Sequence, residues 1–135
     1  MTRINASIKP ANLCDQHLLA EHREIIRVRH AQNSKQKAPE KFKLGPGHVV
    51  FFKDKLGYIK KRYEMLHKEC KRRGFNVTDF SETFEGFDTS GNYKPNDADR
   101  KLIVERLSTA LKRIKQIRFK GQEIKYSEAV KMLKR

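Results

Sequence analysis

Apolar residues recur along this chain at helical spacing. Phe52, Leu56, Ile59, Tyr63, Leu66 and Cys70 are separated by 4, 3, 4, 3 and 4 residues, the stripe that one face of an α-helix presents. This predicts a helix over Val49 to Arg73, with Gly74 just past its end, where a helix-ending glycine belongs. Lys53, Lys60, Lys61, Lys68, Lys71 and Arg72 make its other side basic. An earlier helix is predicted from Asp15 to His30. At about 100° per residue, Leu18, Leu19, Ile25, Ile26 and Val28 share one arc and face the core. Gln16, His17, Ala20, Arg23, Glu24 and Arg27 gather opposite, a mixed basic and acidic face. A third helix starts near Asp97, a candidate N-cap after Pro95. Its buried side is Ile103, Leu107, Ala110, Ile114 and Ile117, and Arg106, Lys112, Arg113 and Lys115 make it basic. The tail from Tyr126 to Arg135 reads as a short final helix with Ala129, Met132 and Leu133 apolar. Residues 38–48 and 79–97, rich in turn-forming types, read as loops. No segment alternates with period two, so no strand is expected. The expected fold is all-α, a compact single domain of three main helices with long loops over residues 1–135.

Charge changes the picture more than size does. The chain has 135 residues, enough for one hydrophobic core. Lys and Arg number 31 against 16 Asp and Glu, a net charge of +15. So large an excess points to a polyanionic partner, nucleic acid above all, with phosphate contacts supplying most of the affinity. Cys14 and Cys70 lie far apart with no CxxC spacing, so buried reduced thiols are expected rather than a disulfide. No apolar run is long enough to cross a membrane and no signal segment is seen. A reducing cytoplasm is therefore expected. No apolar surface stripe is left over once the core is assigned, so a monomer is expected.

The familiar catalytic signatures are absent: no GxxxxGK[ST] phosphate loop, no GxSxG elbow, no HExxH and no zinc-spaced Cys/His cluster. Cys14, His17 and Glu21 imitate a metal site by their helical spacing, but a structural zinc site needs four ligands. Neither a metal nor a cofactor is expected. His48, beside Gly47 at the start of the second helix, is a candidate phosphate contact. The N-terminus offers different chemistry. Thr2 is small, so Met1 is expected to be trimmed, leaving a threonine α-amino group. Such an amine has an ordinary pKa of about 7.7–8.0 and is partly unprotonated near neutrality. Arg3, Arg23 and Arg27 nearby would lower it further. It can attack an electrophilic carbon and form a Schiff base, while Glu24 moves protons and stabilises developing positive charge. On the residues alone, the plain reading of Glu24 comes first: an ordinary helix-face ion pair with Arg27, worth little.

Four blocks are collinear with a known family: "MTRIN" at the start, "DQHLLAEHREIIRV" at 15–28, "GPGHVVFFKDKLGYIKKR" at 45–62 and "ECKRRGFN" at 69–76. Together they closely resemble the phage pyrimidine-dimer DNA glycosylase and abasic-site lyase family, of the T-even phage endonuclease V type. The resemblance spans roughly residues 2–76 and weakens in the last third. It implies a compact all-α domain and a bifunctional glycosylase and lyase that needs no metal. Its substrate would be double-stranded DNA containing damaged bases, met in the cytoplasm of an infected bacterial host. By resemblance Thr2 is the nucleophile and Glu24 the catalytic carboxylate. Arg3, Gln16, His17, Arg23, Arg27 and Arg106 would hold phosphates and a kinked duplex from which the base opposite the lesion is flipped out. The chain departs from the family pattern in three places. "IRFKGQEIKYSEAVKMLKR" carries only Phe119 and Tyr126 where the family is aromatic-rich, Ala110 stands where the family has lysine, and the region between the first two helices is shorter. Two alternatives remain open: a related glycosylase for a different base lesion, and a non-catalytic basic DNA-binding protein.

Overall fold

A computed structural model of the chain describes residues 3–135. Among the described residues helix makes up 53% and strand 3%, so the chain is all-α, as its periodicity predicts. The α-helices are α1 (Asp15–Glu24), α2 (His48–Phe51), α3 (Leu56–Arg72), α4 (Asp97–Leu111) and α5 (Tyr126–Leu133). Tighter 3-10 segments cover Pro10–Asn12, Ile25–Asn33 and Ser81–Phe84. The chain forms two compact units. One comprises the segment ending at Ile4 together with Glu21–Lys94. The other joins Asn5–Ala20 with Pro95–Arg135, so the boundary falls within α1.

In the first unit the expected stripe is the core: Phe52, Leu56, Ile59, Tyr63, Leu66 and Cys70 are all buried. The continuous helix expected over Val49 to Arg73 is instead broken into α2 and α3 by a turn at residues 52–55. The turn lets the consecutive Phe51 and Phe52 both enter an aromatic cluster with Phe42 and Tyr93. The end of α3 follows expectation. Gly74 N–H bonds back to Lys71 C=O and Phe75 N–H to Cys70 C=O, closing the helix in a Schellman turn.

The helix expected from Asp15 to His30 is also divided. It is α-helical to Glu24 and then tightens to 3-10. Ile25, Val28 and Ala31 are its buried residues, and a spacing of three is what a 3-10 helix stacks along one edge. The change of period leaves Ile26 half-buried rather than in the core.

In the second unit, α4 buries Ile103, Leu107 and Leu111. Its N-cap is Asn96, one residue before the expected Asp97. Asn96 Oδ1 accepts from Asp99 N–H, while Asp99 Oδ2 accepts from Asn96 N–H. This capping box satisfies two backbone donors at the start of the helix. The helix stops at Leu111; Ala110 inside it and Ile114 beyond its end are only half-buried. Ile117 is buried from beyond the helix end. A two-residue hairpin, Arg118–Phe119 against Gln122–Glu123, appears where no strand was expected. It is too short to show an alternating pattern. Its Lys120-Gly121 turn, both residues at positive φ, is held from α1: Asp15 accepts the Lys120 and Gly121 N–H groups at 2.9 and 2.8 Å. The final helix α5 packs Ala129 and Leu133 inward, as expected.

Candidate functional site

Glu24 is the last residue of α1, where the backbone passes from α to 3-10 geometry. Its side chain is 19% exposed, with Arg23 Nη2 at 4.0 Å and Arg27 Nη1 at 3.7 Å. Both separations exceed hydrogen-bond length. The guanidinium groups thus bias the carboxylate electrostatically without consuming its lone pairs. They are themselves 65% and 56% exposed and offer planar N–H forks suited to phosphate. Arg23, Glu24 and Arg27 are therefore brought together on one turn. Arg3 is exposed and belongs to the same unit. Thr2 lies outside the described residues.

His48, expected as a phosphate contact, is turned inward. The residue is 3% exposed, and both ring nitrogens are engaged internally. Nε2 accepts the Ile4 N–H at 3.0 Å, and Nδ1 donates to the Lys43 carbonyl at 2.9 Å. Phe42 and Phe52 present their rings edge-on to it. A donor facing phosphate needs exposure that this ring does not have.

Within the second unit, Gln16 is also turned to internal work. Its Nε2 donates to the Gln116 carbonyl at 2.6 Å and its Oε1 accepts from Arg118 N–H at 3.1 Å. The amide thus clamps the backbone entering the hairpin. His17 is half-buried on the same helix. Arg106, expected to contact DNA, donates through Nη2 to the side-chain oxygen of Asn5, which is 5% exposed. Part of its fork is therefore committed to the N-terminal segment.

Sequence reasoning missed a buried ion pair. Arg62 Nε and Nη2 meet Glu21 Oε2 and Oε1 at 2.5 and 3.0 Å, with the side chains 5% and 1% exposed. Burial works against the Arg62 charge, but Glu21 and Tyr58 outweigh it and its pKa is raised. A signal was present. Glu21 lies on α1 between Leu18 and Ile25, and Arg62 lies on α3 between Ile59 and Leu66, so each interrupts an apolar stripe. Glu21 was also one third of the imitated metal spacing; its carboxylate is bound to arginine. Among the described residues no group of three His, Cys, Asp or Glu is gathered to hold a metal ion.

A second polar cluster joins α3 to the loop after it. His22 Nε2 and His67 Nδ1 are 3.0 Å apart. The Tyr63 hydroxyl accepts the Phe80 N–H at 2.5 Å and donates to Asp79 at 3.3 Å. Burial, with His67 adding to it, lowers the His22 pKa. Burial pushes the Tyr63 phenol up to about 12. The Ser81 backbone and side chain hold the Asp79 carboxyl below its ordinary value.

Among the described residues, no helix is long and apolar enough to cross a membrane. The family model described as pyrimidine dimer DNA glycosylase matches residues 1–83. That stretch carries Arg3, Gln16, His17, Arg23, Glu24, Arg27 and His48, whereas Arg106 lies beyond it. The match covers well over half of the sequence, and the chain belongs to the pyrimidine dimer DNA glycosylase family, a family of DNA-repair enzymes that act on DNA.

Proposed function

We propose that the protein is a bifunctional glycosylase and abasic-site lyase that cuts duplex DNA at cyclobutane pyrimidine dimers through the α-amino group of Thr2. The observation that carries this reading is the Glu24 carboxylate. It is partly exposed and flanked by Arg23 and Arg27 at distances too long for hydrogen bonds. A carboxylate so placed is available to a cationic sugar intermediate.

In the proposed reaction the neutral amine attacks C1′ of the damaged nucleotide. The C1′–N bond breaks, and the base takes the electron pair and then a proton. The nitrogen gives up one proton, its lone pair then expels the ring oxygen O4′, which takes up a proton, and the open-chain imine that results keeps the remaining N–H and is protonated at nitrogen. A base removes a C2′ proton, and the C3′–O bond breaks with the phosphate leaving. Hydrolysis of the imine returns the amine. Glu24 stabilises the cation and handles the sugar protons, and Arg3, Arg23 and Arg27 hold flanking phosphates. Removal of Met1 is part of the proposal, because an amide nitrogen at Thr2 cannot attack.

Borohydride trapping tests it, using protein whose Met1 removal is verified by mass. A covalent adduct on a duplex with one thymine dimer, located at residue 2 by peptide mapping, is the expected result. An adduct on an abasic-site duplex but none on the dimer supports the second reading, a glycosylase for another lesion. The aromatic-poor segment after Ile117, with only Phe119 and Tyr126, favours that alternative. No adduct on either duplex overturns the amine mechanism.

A further inference from the structure

We infer that His48 is a positioning residue for the N-terminal amine, holding the Arg3–Ile4 peptide from which that amine is presented. The inference rests on the Thr2 reading above and deepens it.

The hydrogen bonds determine the state of the imidazole. The Lys43 carbonyl can only accept, so Nδ1 carries the proton. That leaves the Nε2 lone pair to accept the Ile4 N–H at 3.0 Å. The ring cannot drift from this position. It is 3% exposed, and its own backbone N–H is tied to the Gly45 carbonyl at 3.0 Å. The Ile4 side chain is 0% exposed, so residue 4 is fixed through its side chain and through its N–H. Because the peptide group is planar, fixing the Ile4 N–H also fixes the Arg3 carbonyl. Only the Arg3 torsions and Thr2 ψ then separate a rigid anchor from the nucleophile.

Such an anchor has a chemical purpose. Chain termini fray by default, and a nucleophile on a frayed end loses the advantage of being held near its target. A buried backbone N–H needs an acceptor in any case. A purely structural His48 would contribute stability alone, whereas a positioning His48 contributes to the rate after DNA is bound.

The test compares His48→Leu with His48→Gln, both with Met1 removal verified by mass. Leucine keeps apolar bulk but accepts no hydrogen bond, while the glutamine side-chain oxygen reaches toward the place of Nε2 and does accept. The readouts are the single-turnover rate of borohydride adduct formation on an abasic-site duplex, the duplex Kd and the Tm. His48→Leu is expected to slow adduct formation about 100-fold, the scale of a small misplacement of a reacting group, with Kd unchanged. His48→Gln is expected to recover most of that loss. Equal loss in both variants, a native rate in a folded His48→Leu protein, or a loss confined to Kd overturns the proposal. If His48→Leu does not fold, the native protein carries the test. The nitrogen–nitrogen coupling across the Ile4 N–H to His48 Nε2 bond is expected by NMR, and its absence overturns the assignment. Failure of the underlying reading looks different: the native protein itself would form no adduct, or form it at a lysine, and the positioning role would fall with it.

Discussion

At the residue scale, the decisive groups are charged side chains whose partners differ. Glu24 is loosely flanked by two arginines and partly open; Glu21, three residues earlier, is closed within a buried fork with Arg62. The two carboxylates therefore respond differently to removal of charge. Glu24→Gln is expected to lower adduct formation by about 100-fold or more, the usual scale for a proton-handling group. Duplex Kd should hold or tighten slightly, because a negative charge is removed beside phosphate-facing arginines. A large loss of affinity with the single-turnover rate unchanged would instead make Glu24 a DNA-binding residue rather than a proton-handling one. Arg62→Met is expected to destabilise the fold by about 3–5 kcal/mol, since it strands the buried Glu21 carboxylate. The double variant Glu21→Leu with Arg62→Met should recover most of that loss in urea unfolding. Recovery would show that the single-variant cost is an unpaired charge rather than lost packing. The role expected for His48 shows where residue-level reading stops. Its position beside Gly47 suggested an open phosphate contact, but the ring packs against Phe42 and Phe52 and is tied to the Ile4 N–H, 44 residues away in sequence.

At the element scale, periodicity located α1, α3, α4 and α5, because face alternation is a local property of spacing. It did not show where helices change character. The turn between α2 and α3 and the 3-10 segment after Glu24 both answer to what packs against them. The start of α3 is also covered closely. Tyr58 N–H donates to the Gly91 carbonyl at 3.1 Å, and a Cβ at Gly57 would overlap the Gly91 and Thr89 carbonyl oxygens. Alanine is a better helix former than glycine by about 1 kcal/mol. Gly57→Ala is nevertheless expected to destabilise by about 1–3 kcal/mol, because backbone oxygens cannot yield as flexible side chains do. Unfolding of this variant under urea reads the sign directly.

The packing of α1, α3 and the loop at Asp79 also creates a pH dependence. The His22 pKa lies below its ordinary 6.5 in the fold, because of burial and then His67. The unfolded chain therefore binds a proton that the folded chain resists. The resulting stability is complete above about pH 6.5 and is lost as pH falls toward the folded value. The free energy of unfolding should decline below that point, and His22→Phe should flatten the decline. The Asp79 and Asp88 carboxyls, both lowered chiefly by Ser81 and Ser90 respectively, lose their contribution only at more acid pH, so the two effects separate along a titration.

At the scale of the whole molecule, the net charge of +15 is the largest single fact in the sequence, yet part of it is spent internally. Lys53 Nζ donates to the Ser34 and Gln36 carbonyls at 2.6 and 2.7 Å. Lys55 caps Phe51 C=O at 2.8 Å, and Arg73 meets Glu69 at 2.9 Å. Lys53 thus leaves the basic face to which its spacing assigned it. The remaining exposed cations should still make DNA affinity steeply salt-dependent. Neutralising about six phosphates would cost roughly 1,000-fold in affinity between about 50 and 200 mM salt. A nearly flat salt series would exclude the basic surface as the binding surface. By itself the sequence determined the all-α class, the α3 core stripe, the basic character and the family resemblance, since each depends on composition or on spacing within a few turns. The tertiary structure decided which polar side chains remain open. Ile4 with His48, Glu21 with Arg62, Arg106 with Asn5 and Arg118 with Gln16 are pairs 44, 41, 101 and 102 residues apart. No local period encodes such a pairing. A polar group's availability depends on whether the folded chain brings it a partner and removes it from water.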